Sequence, residues 1–241
     1  MEIELFIPCF IDQLYPDTGF NLVKVLEKLD IQVHYNPQQT CCGQLAFNSG
    51  NWDEARELGE KFINDFSSGR SIVGPSASCI SMVKNHYPKL FNNSSLHNSF
   101  KDIQGNIFEI SDFLVNKLKI TNLGARFPHK VTIHDSCSAL REYGIRDEVR
   151  VLLSKVKDIE VVEMNESDVC CGFGGTFSVK HESISSAMAE RKVNNALATG
   201  AEFIVGTELS CLLHLEAYIK KHKLPIKIIH IVDILASGWE L

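Results

Sequence analysis

The chain has 241 residues, 44% of them hydrophobic and 22% charged, with a net charge of −6. That composition suits a globular core of one large or two ordinary domains, and an acidic balance without a long basic run excludes a nucleic-acid footprint. No apolar run approaches the roughly 20 residues that cross a bilayer, so no integral membrane segment is expected.

The opening "MEIELFIPCF" begins with acids and has no basic n-region, so no secretory signal is read and a cytoplasmic location is expected. "IELFI" reads as a strand and "TGFNLVKVLEKLD" as an amphipathic helix, followed by the strand "IQVHY" and the helix "NWDEARELGEKFINDF". "SIVG" is the next strand, "SCISMVKNHY" the next helix, and "NIFEISDFLVNKL" a strand turning into a helix. "TNLGARFPHK" at 121–130 supplies Gly and Pro punctuation. Beyond it come the strand "VTIHD", a helix around 146–156, the strand "IEVVEM" and the helix "ISSAMAERKVNNALATG". "FIVGT", "CLLHLEAYIKKH" and "IKIIHIVDILA" close the chain as strand, helix and strand-into-helix. Short apolar strands alternating with helices predict an α/β fold whose sheets are mainly parallel and flanked by helices.

The pattern is written twice. Cys9 and Cys137 each end an apolar run and lie 128 residues apart; Cys41–Cys42 and Cys170–Cys171 are offset by 129, and Cys79 and Cys211 by 132. All eight cysteines fall in the order single, double, single within each half. Two similar domains follow, at 1–124 and 125–241. In the cytoplasm thiols stay reduced, so this many cysteines point to metal or redox chemistry before disulfides.

Cys9, Cys79, Cys137 and Cys211 each follow a strand at or before a helix start, and both doublets lie in loops after strands. Loops beyond the carboxyl ends of strands in an open α/β sheet converge on one edge, so the four cysteines of each half can meet. Helix N-termini favour thiolate over thiol. Gly43 and Gly172, which close the doublets, suit a backbone turning tightly around a bulky ligand. Four thiolates serve either an iron–sulfur cluster or tetrahedral zinc. The local C-x-x-C pairs usual in structural zinc sites are absent, which favours a cluster.

"PCFIDQLYPDTG", "QTCCGQLAFNSG", "GPSASC", "HDSCSALREYGI", "CCGFGGTFSVK" and "ELSCLLHL" together resemble the CCG-domain, or cysteine-rich domain, family, and within it the members that serve lactate utilization. The family pattern is a Cys, a gap of thirty-odd residues, Cys-Cys-Gly, a similar gap and Cys-x-x-Cys; here 31 residues separate Cys9 from Cys41 and 32 separate Cys137 from Cys170. The resemblance implies two CCG-type domains in an iron–sulfur electron-transfer subunit of a multiprotein L-lactate oxidation system, taking lactate to pyruvate. Other iron–sulfur and accessory subunits would be its partners, because the chain has no ferredoxin-type C-x-x-C-x-x-C segment. It implies Cys9, Cys41, Cys42, Cys79, Cys137, Cys170, Cys171 and Cys211 as metal and cofactor ligands, with a 4Fe-4S type cluster or zinc in either site. The family also includes the cysteine-rich subunit of heterodisulfide reductase and the glycolate oxidase iron–sulfur subunit. The alternatives are therefore a heterodisulfide-reductase-like thiol–disulfide redox subunit or a zinc-stabilised, non-enzymatic module. The chain departs from the pattern where Ser76 and Glu208 replace the first Cys of the closing Cys-x-x-Cys.

Outside the cysteines, His134 in "IHDSC" is read either as a donor or proton carrier beside a cluster or as a structural histidine. Asp135 is read as an N-cap or turn residue, and Arg141 as a candidate carboxylate anchor. "CGFGGTF" at 171–177 does not form G-x-G-x-x-G after a strand, so it is not a nucleotide loop. It suits close approach of backbone N–H groups to sulfur or an anion. His34, His86, His181 and His214 are read as structural, and "IKKHK" as a solvated helix end.

Overall fold

In the computed structural model, which describes residues 1–239, the chain divides into two compact units, Met1–Phe113 and a second beginning at Leu114. The segment after Leu114 is tied into the second unit by its own hydrogen bonds. Arg126 N–H donates to the Ser237 carbonyl at 3.1 Å, Phe127 N–H to the Lys157 carbonyl at 3.0 Å, and the Trp239 indole to the Leu123 carbonyl at 3.2 Å.

Among the described residues each unit builds one four-stranded, wholly parallel sheet. β1 (Glu2–Leu5), β2 (Gln32–Tyr35), β3 (Ser71–Gly74) and β4 (Ile107–Glu109) take the order β2-β1-β3-β4. β5 (Lys130–Ile133), β6 (Glu160–Val161), β7 (Phe203–Gly206) and β8 (Lys227–His230) take the order β6-β5-β7-β8. Registers correspond as well: Ile3 pairs with Val33 and Ser71, and Val131 with Val161 and Phe203. The fold is the mixed α/β, duplicated one that the alternating pattern predicts. The central strand β3 is buried along its whole length, whereas the edge strand β2 has no fully buried residue. That contrast is expected of a parallel sheet covered on both faces. In each unit the strand order reverses between its first and third strands, the place where ligands bind in open α/β sheets.

Three departures from the sequence reading stand out among the described residues. β6 is only two residues long; Val162 N–H still donates to the Val131 carbonyl at 2.9 Å, but Glu163 turns out to accept from Arg150 at 2.7 Å. A helix at His97–Asn106 has no strong apolar stripe, burying only Phe100 and Ile103, so periodicity does not announce it. The "SCISMVKNHY" helix runs as Ala77–Ser81, a π-helical turn Met82–His86 and Tyr87–Phe91. Pro88 has no N–H to give the Lys84 carbonyl, and Gln104 Nε2, from the His97–Asn106 helix, donates to that carbonyl instead. No helix among the described residues is long and apolar enough to cross a membrane.

Candidate metal centres

Cys9 opens the helix Cys9–Leu14 directly beyond β1, Cys79 lies in Ala77–Ser81 beyond β3, and the Cys41–Cys42 doublet lies in the loop after β2. In the second unit Cys137 follows β5, Cys211 lies in the helix Leu209–His222 after β7, and Cys170–Cys171 follow β6. Parallel topology thus delivers every cysteine to a carboxyl edge, at or beside the switch point.

In the first unit the thiols form one chain. Cys9 Sγ donates to Cys41 Sγ at 4.0 Å, and the Cys42 thiol stands between those of Cys41 and Cys79, near enough that each shifts its ionisation. Donation from Cys42 and Cys9, helped by the Gly43 and Gln44 backbone, holds the Cys41 thiol far below its ordinary range. The donors move the other way: hydrogen bonding to Cys41, then burial, pushes the Cys9 thiol up, and Cys42 rises with it. Cys41 is thus the thiol of this set that its neighbours most favour to ionise.

The second unit repeats the arrangement with Cys137, Cys170, Cys171 and Cys211, whose thiols shift one another's ionisation in the same sequence. Cys170 is held down by Cys137, then Cys171 and the Gly172 N–H, and Cys137 and Cys171 are pushed up. Cys211 is lowered to about 7 by the Cys171 hydrogen bond, with His134 adding to it against the opposing effect of burial. All eight cysteines are free. Sets of four sulfurs, with Cys42, Cys171 and Cys211 buried, fit an iron–sulfur cluster or zinc.

The glycine after each doublet has a double task. Gly43 and Gly172 adopt φ of +82° and +97°, and their N–H groups each donate at 3.4 Å to the first cysteine of the doublet, two residues back. A Cβ on Gly172 would stand 2.7 Å from the Ser185 carbonyl oxygen and 2.8 Å from Met188 Cβ; on Gly43 it would stand 3.2 Å from the Ala55 carbonyl oxygen. Glycine is needed both for the left-handed turn and for the close approach of the following helix.

That approach also aligns the units, matching Ala55 with Ser185 and Leu58 with Met188, and hence Phe62 with Lys192. Phe6 and His134 match in the same way, since their N–H groups donate to Val73 and Val205 at 2.9 and 2.8 Å. The first site thus rests on apolar rings: Phe6 and Phe62 meet edge to face with centroids 5.0 Å apart, and the buried Tyr87 donates to the Cys42 carbonyl at 3.0 Å. The second rests on nitrogen. Buried Lys192 donates from Nζ to the Glu166 and Ser167 carbonyls, and desolvation lowers its pKa. His134 is 2% exposed with no hydrogen-bond partner in ordinary reach of either ring nitrogen, yet one of them lies with the Cys171 and Cys211 sulfurs in a group all within 4.8 Å of one another. The place of His134 beside the site is legible in "IHDSC", three residues before Cys137; the role of Lys192 is not, because it depends on where distant loops close. A further visible hint is His134 standing where the first repeat has Phe6.

Other sequence candidates find different work. Asp135 is not an N-cap: its carboxylate takes a two-pronged bond from Arg150 at 2.9 and 2.8 Å and a third from Ser167 Oγ at 2.9 Å. Ser136 next to it accepts from the Ala139 N–H instead. Arg141 donates to the Asp168 carbonyl at 3.2 Å, bracing the loop ahead of Cys170. His214 Nε2 contacts Ser185 Oγ at 3.1 Å beside Gly172, while His34 pairs with Glu2 on the surface at 3.0 Å. Ser76 caps the Cys79 helix, and Glu208 accepts from Ser210 Oγ at 3.0 Å while its charge opposes ionisation of Cys211.

Comparison with known proteins agrees with this duplicated geometry. The cysteine-rich domain (CCG) profile matches residues 3–84 and 131–216. Lactate utilization protein A of Oceanobacillus iheyensis is 38% identical over 241 residues, covering 100% of this chain and 98% of that protein. The protein of the same name from Macrococcus caseolyticus is 36% identical over the same shares of each chain. Among solved structures, a hypothetical protein from Helicobacter pylori superposes with a TM-score of 0.59 at 14% identity, over 100% of this chain and 49% of that one, a likeness of fold alone. The chain belongs to the CCG cysteine-rich domain family and carries that domain twice.

Proposed function

We propose that this chain is an iron–sulfur electron-transfer subunit of a multiprotein system that oxidises L-lactate to pyruvate. The observation that carries the reading is the gathering of four thiols at the switch point of each sheet, close enough to shift one another's ionisation. The full-length relatives named for lactate utilization supply the pathway.

Cys9, Cys41, Cys42 and Cys79 would hold one centre, and Cys137, Cys170, Cys171 and Cys211 the other. A cluster supplies one-electron transfer with little rearrangement, at a potential set by burial and hydrogen bonding. The chain's own part is to present thiolate at Cys41 and Cys170, to direct the Gly43 and Gly172 N–H groups at those sulfurs, and to bury Cys42, Cys171 and Cys211. Electrons would pass to and from separate iron–sulfur and accessory subunits in the cytoplasm. A heterodisulfide-cleaving role fits less well, because Ser76 and Glu208 occupy the fifth-cysteine positions and both side chains are engaged in local hydrogen bonds.

Purified without oxygen, the chain should be brown, with a broad band near ~400 nm that dithionite bleaches. A colourless protein holding zinc alone would reject the redox reading. Deleting it from its host should stop growth on L-lactate and spare growth on pyruvate; unimpaired growth on lactate would reject the pathway.

A further inference from the structure

We infer that His134 is a direct metal ligand, so that the second unit holds its centre through nitrogen and sulfur while the first uses sulfur without an imidazole. The inference rests on the metal-binding part of the reading above and specifies the second site.

His134 sits at the carboxyl end of β5, 2% exposed, among groups that leave both its ring nitrogens without a hydrogen-bond partner. Burying an imidazole unpartnered costs about 1–3 kcal/mol, and folded chains seldom retain such a cost without an occupant to relieve it. The neighbours that could share an occupant are the sulfurs of Cys171 and Cys211, which together with a His134 nitrogen form a group all within 4.8 Å. Metal bonds to imidazole nitrogen and thiolate sulfur run about 2.0–2.3 Å, so small side-chain rotations place all three on one metal.

The first unit offers a built-in control. Phe6 holds the backbone place of His134, its N–H meeting Val73 as that of His134 meets Val205. Its fully buried ring packs edge to face on Phe62 and Phe66, at 5.0 and 5.8 Å, and has no donor to offer. The duplicated scaffold has therefore diverged at one position from hydrocarbon to ligand.

Pulsed electron paramagnetic resonance on the iron-reconstituted, dithionite-reduced full chain should show strong coupling to a directly bound imidazole nitrogen. The coupling should survive Cys9→Ser and vanish in His134→Cys, which keeps a donor and therefore the metal. Metal in the second unit without nitrogen coupling, or a His134→Cys spectrum identical to wild type, overturns the inference. If the chain takes up no iron, X-ray absorption of the cobalt(II)-loaded protein reads the same ligand. One nitrogen lost in His134→Cys then upholds His134 while the iron–sulfur reading falls. All-sulfur coordination, or no cobalt in the second unit, overturns it.

Discussion

Gly172 carries two constraints that a sequence displays as a single letter. Its φ of +97° alone would strain an alanine, and the added Cβ would also strike the Ser185 carbonyl and Met188. Gly50, at φ +85°, has nothing within 4 Å of the place where a Cβ would stand. Gly172→Ala should therefore cost roughly 1–3 kcal/mol or more and lower metal retention, while Gly50→Ala costs about 1 kcal/mol. Urea unfolding of the two variants side by side checks the ranking, and equal losses would remove the steric part of the argument. The tight turn was legible from Cys-Cys-Gly; the wall against which it turns was not, because the Ser185 helix arrives from a distant part of the chain.

Glu109 is a residue whose meaning emerges only on folding. It is fully buried at the end of β4, accepts from the Ser111 N–H at 2.6 Å, and desolvation raises its pKa from 4.5 to about 8. Between those values the folded chain keeps a proton that the unfolded chain has released. Its contribution is thus fully present below pH ~4.5 and is lost as pH rises through ~8, at a rate of at most about 1.4 kcal/mol per pH unit. Denaturation midpoints at pH 5 and pH 8 should fall further for wild type than for Glu109→Gln. A parallel fall in both would contradict this.

At the scale of elements, each doublet loop is braced from a helix, but by different chemistry. Tyr87, from the helical segment Tyr87–Phe91, holds the Cys42 carbonyl; Lys192, from the helix Glu182–Ala198, holds the carbonyls just ahead of Cys170. Tyr87→Phe should cost about 1–2 kcal/mol by orphaning a buried carbonyl, with metal lost from the first site alone. Lys192→Met should cost roughly 1–3 kcal/mol, with metal lost from the second alone. Metal analysis of each variant in a background lacking the other site's cysteines reads the difference. The strands and long helices that position these braces follow from apolar periodicity. The π-helical turn before Tyr87 and the truncation of β6 do not, since each reflects a local competition at Pro88 or Glu163 that periodicity does not register.

For the whole molecule, duplication was the most legible feature, because cysteine order and spacing survive where the surrounding sequence has drifted. The divergence of the two sites was least legible, since Phe6/Phe62 against His134/Lys192 becomes a pattern only once the strand ends and helix contacts are superposed. Where the His134 imidazole displaces one of the four thiolates on the second centre, it raises the potential of that cluster. In a redox titration of the iron-loaded chain the signal removed by Cys170→Ser should therefore appear first, before the one removed by Cys41→Ser. The reverse order would contradict the assigned asymmetry.

The claim beneath all of this is that each domain's thiols grip one redox centre of their own. Anaerobic iron and sulfide analysis of Cys41→Ser, Cys170→Ser and the double variant tests it most directly. The account predicts about half the wild-type content in each single variant and almost none in the double; a double variant that retains iron and sulfide at the wild-type level would contradict it.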